Sequence, residues 1–138
     1  MPRLFAVVLS VAAAVGLAGC GGMAPVALPA AEASSCGSIT NSDLRYYCQS
    51  SCGSIRNNDL RYFCTGSYGS ITNSDLRYYG QAQCGSIRNN DLRYYCTGSY
   101  GSISNSDLRH YGQAQCGSIS NQDLRYLCQA GRKYPGSH

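Results

Sequence analysis

Lys133 is the single lysine of this chain of 138 residues, and no block of basic residues occurs anywhere in it. The net charge of +4 is carried by arginines spread at regular intervals, so the footprint of a nucleic-acid-binding domain is missing. Histidine is almost as scarce. His110 stands where neighbouring copies of a repeat have Tyr, and His138 is the last residue. A hydrolytic triad needs a base held by an orienting group, and a lone His110 supplies neither partner, so the chain reads as non-enzymatic, with no catalytic residues. Glutamate occurs once, as Glu32. The recurring Asn-x-Asp therefore lacks the closing Glu of a calcium loop. Cys48 and Cys52 have zinc-like spacing, but only once and with no His beside them. No metal and no cofactor is expected. Long apolar runs are missing too, apart from Leu4 to Ala18. That run is too short and Ala-rich to favour a spanning helix, and with Arg3 ahead of it residues 1–19 read as a signal peptide.

The end of that segment, Leu17-Ala18-Gly19-Cys20, resembles the lipobox of bacterial lipoprotein signal peptides. The resemblance implies that Cys20 is lipidated and anchors the chain to a membrane without crossing it. Gly21, where an Asp would retain such a protein at the inner membrane, implies the outer membrane instead. Residues 20–35, the lipidated cysteine followed by Ala, Pro, Gly and Ser, form a tether. Export also permits disulfides. Of nine cysteines, Cys20 is set aside for lipid, and the even remainder suits a disulfide framework.

From residue 36 to 131 the sequence repeats every sixteen residues, with copies starting at Cys36, Cys52, Tyr68, Cys84, Tyr100 and Cys116; a polar tail, 132–138, follows. A fixed short period predicts a stacked array. Residues 52–83 and 84–115 differ only at Phe63/Tyr95, Thr72/Ser104 and Tyr78/His110, the mark of a duplicated two-copy unit.

Each copy reads GSI, a variable residue, Asn, a second variable residue, then Asp-Leu-Arg. Asn is a favoured N-cap, and the Asp two residues later falls in the first turn, where the helix dipole favours it. The spacing predicts a two-turn helix over Ser42 to Cys48 and its equivalents. Leu44, Tyr47 and Cys48 would share its buried face, and Ile39 would pack beneath from an extended GSI. The expected fold is a small helical solenoid with extended connections and disulfide staples, with copy six the more cap-like end. Alternation of Leu44, Tyr46 and Cys48 leaves a β-solenoid of sixteen-residue coils as the alternative.

Cysteines occupy positions one and thirteen of copies one, two, four and six, giving Cys36/Cys48, Cys52/Cys64, Cys84/Cys96 and Cys116/Cys128. Copies three and five lose both at once, to Tyr68/Gly80 and Tyr100/Gly112. Pairing across copies would set Cys64 against Tyr68 and Cys84 against Gly80, whereas pairing within copies orphans none. Local disulfides are expected, with Tyr filling the space that Gly vacates; a cross-copy pair such as Cys36 to Cys52 is the alternative.

Stacking would align Tyr46, Tyr62, Tyr78 and Tyr94 with Arg45, Arg61, Arg77 and Arg93 as a candidate binding ladder, since Tyr and Arg anchor interfaces. The repeat also resembles short cysteine-rich tandem repeats of exported bacterial proteins, over residues 36–131, a resemblance that implies no activity. The functional expectation is a binding or adhesion module at the cell envelope. Its partners would be the membrane through the lipid, and envelope polysaccharide, peptidoglycan or an envelope protein through the array. A structural spacer and an exported inhibitor are the alternatives.

Overall fold

The structure, a computed structural model, describes residues 35–136. Six copies of one short helix run through it: α1 (Ser42–Cys48), α2 (Asn58–Thr65), α3 (Ser74–Gly80), α4 (Asn90–Thr97), α5 (Ser106–Gly112) and α6 (Gln122–Gln129). There is no strand among the described residues, so the helical reading holds and the β-solenoid does not.

Each helix begins where the recurring Asn says it should. Asn41, Asn57, Asn73, Asn89, Asn105 and Asn121 are N-caps in extended conformation. In each, Oδ1 accepts from the backbone N–H of the Leu three residues on, at 2.9 to 3.0 Å. That bond satisfies one of the donors a helix start leaves unpaired. The segment before the cap differs from expectation. In copies two to six GSI is not extended throughout; the first three positions of the copy form a 3-10 turn, such as Cys52–Ser54, which takes in the Gly and Ser, and only the Ile is extended. The tighter turn brings position one back beside position thirteen.

The six isoleucines, Ile39, Ile55, Ile71, Ile87, Ile103 and Ile119, are all buried and form the repeated centre of the core. The Ile carbonyl does not point to a neighbour's backbone. It accepts from the Arg six residues on in every copy, Arg45 to Arg125, at 2.9 to 3.3 Å. One Arg thus locks each turn to its own helix.

Copies are joined by the aspartates. Asp43 accepts from the backbone N–H groups of Arg56 and Asn57 in the next copy, and Asp59, Asp75, Asp91 and Asp107 repeat the arrangement. The sixth bond of this kind shapes the whole molecule. Asp123 of copy six accepts from the N–H groups of Thr40 and Asn41 in copy one, at 2.8 and 3.0 Å. The Thr40 hydroxyl donates to the same carboxylate. Helices α1 and α6 are in contact, and Ile39, Cys36, Cys48, Ile119 and Leu127 share one core cluster. The array therefore closes into a ring of six. An open stack with copy six as a cap was the expectation; copy six instead meets copy one through the same carboxylate clamp as the other seams.

Helix ends set the spacing of the ring. Position fifteen is left-handed in five copies, at Ser50, Gly66, Ala82, Gly98 and Ala114, with φ from 57 to 80°. The next N–H then reaches back to the carbonyl of position eleven at 2.8 Å, a C-terminal motif that favours Gly. Alanine is strained in this conformation by about 1 kcal/mol. Replacing Ala82 or Ala114 with Gly is therefore expected to stabilise the ring by about 0.5 to 1 kcal/mol each, read as a rise in denaturant midpoint at unchanged slope.

Candidate functional site

Position twelve of every copy, on the buried face of its helix, points toward the axis of the ring. Four of these residues are Tyr47, Tyr79, Tyr95 and Tyr111, and the others are Phe63 and Leu127. Phe63, Tyr79, Tyr111 and Leu127 are buried, and Tyr47 and Tyr95 are half-buried. Neighbouring rings touch round the bore: Phe63 stacks on Tyr79 with centroids 5.6 Å apart, and Tyr95 meets both Tyr79 and Tyr111. The sequence reading placed Tyr47 correctly on the buried face but missed that this face surrounds an axis.

What fills the axis is the tail. Copy six ends differently from the others. Ala130 stays helical in conformation, and Gly131 takes the left-handed turn at φ 71°. Gly adopts that conformation without the steric cost of Ala, so the turn is delayed by one residue. The chain then leaves copy six into the bore rather than toward a seventh copy. Arg132 donates from Nε to the Cys48 carbonyl at 2.8 Å. Lys133 sets its ammonium over Tyr79 and Phe63, 4.6 and 5.5 Å from the ring centroids, within reach of a cation–π attraction. The Tyr134 ring lies against Tyr95 and Tyr111, and Pro135 is fully buried. Gly136 reaches the far mouth, beside Asn41, Asp43, Asn57 and Leu60.

Three hydroxyls hold the tail backbone. Tyr111 donates to the Arg132 carbonyl, Tyr47 to that of Lys133 at 2.8 Å, and Tyr79 to that of Tyr134 at 2.8 Å. Tyr95 adds a contact to the Tyr134 backbone. Burial raises the hydroxyl of Tyr95 to about 12 and lifts those of Tyr47, Tyr79 and Tyr111 further still. The bore tyrosines are therefore neutral at any physiological pH, and Tyr47, Tyr79 and Tyr111 are free to donate. Burial also lowers the Lys133 ammonium from its ordinary value.

The two mouths differ. One is edged by Ser50, Cys52, Tyr68, Ala82, Tyr100 and Lys133. The other carries the Asn and Asp ring; beside the tail it opens a cavity of about 410 Å³ lined by Asn89, Asp91, Asn105, Asp107, Leu108 and Tyr134, among others. Here the aspartates already serve as seam acceptors. No group of His, Cys, Asp and Glu able to hold a metal ion is found among the described residues.

The predicted site residues fall into three sets. All four local disulfides are formed, Cys36–Cys48, Cys52–Cys64, Cys84–Cys96 and Cys116–Cys128, with Cα atoms 5.5 to 5.6 Å apart. The substitution of a cysteine pair by Tyr and Gly is also explained by packing. A Cβ on Gly80 would lie 2.7 Å from Cγ of Tyr68, and one on Gly112 would lie 2.7 Å from Cγ of Tyr100. Gly80→Ala is therefore expected to cost about 1 to 3 kcal/mol by overpacking, and Tyr68→Ala in the same chain should relieve most of the clash, as a thermodynamic cycle of melts would read.

The Tyr/Arg ladder forms the second set. Arg45, Arg61, Arg77 and Arg93 are the turn locks described above, and each also lies over the next residue's ring, Tyr46, Tyr62, Tyr78 and Tyr94, at 5.4 to 5.9 Å. These tyrosines are half-buried. The guanidinium groups are thus structural first, and what they leave for a ligand is a pinned aromatic face. His110 replaces the ladder Tyr in copy five and pairs its Nδ1 with Gln115 at 2.9 Å. The third set is the expected lipidation site Cys20, which, with the expected signal peptide and most of the expected tether, lies outside the described residues. No family model, curated protein or solved structure matches this chain.

Proposed function

We propose that this chain is an exported, non-enzymatic binding or adhesion module of the cell envelope, held to the outer membrane by lipid at Cys20 and displaying its ring on the tether of residues 20–35. The four disulfides suit an extracytoplasmic setting, where such bonds persist. The observation that carries the binding reading is the pinned ladder. Tyr46, Tyr62, Tyr78 and Tyr94 present the same half-exposed ring in successive copies, each oriented by its neighbouring guanidinium. Ordering these side chains in advance lowers the entropy lost when a partner binds. Equally spaced aromatic faces suit a repeating partner, such as envelope polysaccharide or the glycan of peptidoglycan. A closed ring has no length that grows with copy number, which favours binding over the spacer reading.

Co-sedimentation of the oxidised chain with purified cell-wall sacculi and with envelope polysaccharide tests the proposal. Saturable retention is expected, lost on reduction and lost in the fourfold variant Tyr46→Ser, Tyr62→Ser, Tyr78→Ser, Tyr94→Ser with its disulfides and melt kept. Absence of retention on either polymer would turn the reading to an envelope protein as partner.

A further inference from the structure

The three tail carbonyls are not gripped by neighbouring copies. Successive residues 132, 133 and 134 are held by Tyr111, Tyr47 and Tyr79, which belong to copies five, one and three. Each step along the tail advances two copies round a ring of six, about 120°, which is the rotation per residue of a polyproline II helix with its three residues per turn. Pro135, next in line, is fully buried, and its ring fixes φ near the value that conformation requires. The odd copies of the ring thus form a threefold set of hydroxyl donors, matched to the carbonyls of an extended peptide on its axis. Aromatic walls with donors aimed at carbonyl oxygens are how proline-rich segments are recognised elsewhere.

The even copies show the same fit. The duplicated units 52–83 and 84–115 differ at only three positions, and one of them, Phe63/Tyr95, lies in the bore. Phe63 sits under the Lys133 ammonium, while Tyr95 touches the Tyr134 backbone and packs on its ring. Leu127, buried, stands where the tail departs. A ring of near-identical copies has become asymmetric where an asymmetric peptide touches it.

We propose that the bore is a recognition site for an extended, basic, proline-containing peptide of the type Arg-Lys-Tyr-Pro, read through its carbonyls. Residues 132–135 are its resident ligand, and a segment of the same chemistry from another protein competes for the site. This site is separate from the outer Tyr ladder and stands or falls independently of the polymer-binding reading. In the intact chain the tail acts at high effective concentration, so a competitor binds only weakly until the tail is freed.

The test starts from the folded, oxidised full chain with a specific protease site inserted after Gly131, an exposed residue, and cuts it there. The freed tail is expected to remain with the ring through gel filtration at micromolar concentration. Excess synthetic RKYPGSH should displace it one for one, while the peptide with glycine for proline should compete about tenfold less well, having lost its preset conformation. The variant Tyr47→Phe, Tyr79→Phe, Tyr111→Phe should bind the peptide about a hundredfold more weakly, at roughly a factor of five per lost hydroxyl bond, with its disulfides intact. Immediate loss of the tail from a ring that stays folded would overturn the proposal. Collapse of the ring on cutting would overturn it too, because the tail would then be part of the core and not an exchangeable ligand. Equal competition by the glycine peptide would remove the polyproline reading.

Discussion

Reduction of the four disulfides is expected to unfold the ring at neutral pH rather than loosen it. Each bond joins residues twelve apart, and closing a loop of that size stabilises by about 3 kcal/mol on chain-entropy grounds. Together the four contribute about 12 kcal/mol, as much as the whole stability of an ordinary small domain, about 5 to 15 kcal/mol. Little else is available to replace them. Each copy buries one Ile, half to all of one Leu and one bore residue, and helices of seven or eight residues do not persist alone in water. Far-UV circular dichroism with thiol titration checks this. The helical signal should vanish cooperatively at 25 °C once the thiols are free, and a fully reduced chain that kept its helicity would show that the core suffices. One bond at a time, Cys84→Ala with Cys96→Ala should cost about 3 kcal/mol. Cys84→Tyr with Cys96→Gly should cost less, because it copies the packing that Tyr68 and Gly80 already use.

What the sequence disclosed and what it hid divide along a physical line. The N-cap Asn, the first-turn Asp and the helix Ser42–Cys48 are local, decided within a few residues, and all are read from the repeat. So are the disulfides, because the paired loss of cysteine in copies three and five leaves no orphan when each copy pairs within itself, whereas joining position thirteen to the next position one would orphan Cys64 and Cys84. The angle between copies is different. It depends on how the Ile turns and left-handed helix ends pack against the next copy, and no spacing within the repeat reports it. Asp43 and its equivalents hid a second role for the same reason. They stand in the first turn as expected, yet their carboxylates are spent on the backbone of the following copy. The tail was hidden because its composition is polar, while its burial comes from tyrosines far away in the chain. One signal was present. Leu127 breaks the aromatic run at position twelve in the copy from which the tail departs.

The seam carboxylates give the ring an acid limit and also test its closure. The carboxyl groups of Asp91 and Asp107 are held below the usual aspartate range, first by the N–H groups of Ser104 and Ser120. At Asp123 burial pushes the other way, but the bonds from Thr40 and Asn41 outweigh it. A carboxylate depressed in the folded state stabilises it above the unfolded pKa, near 3.9, and that contribution is lost as pH falls through the folded value. Thermal stability should therefore be flat from about pH 7 to 5 and fall below about pH 4, as the seams of Asp91, Asp107 and Asp123 protonate. The decisive variant is Asp123→Asn. Its amide cannot accept from both Thr40 and Asn41, so a closed ring should lose about 2 kcal/mol, the worth of a charge-assisted bond partly replaced by water. Asp91→Asn, at a seam inside the array, should lose a similar amount. In an open array Asp123 would face solvent, and its replacement would leave the melt unchanged while Asp91→Asn still lowered it. Equal losses at the two positions mean that the seam between the last copy and the first is as real as any between neighbours, and with it the bore that the tail occupies.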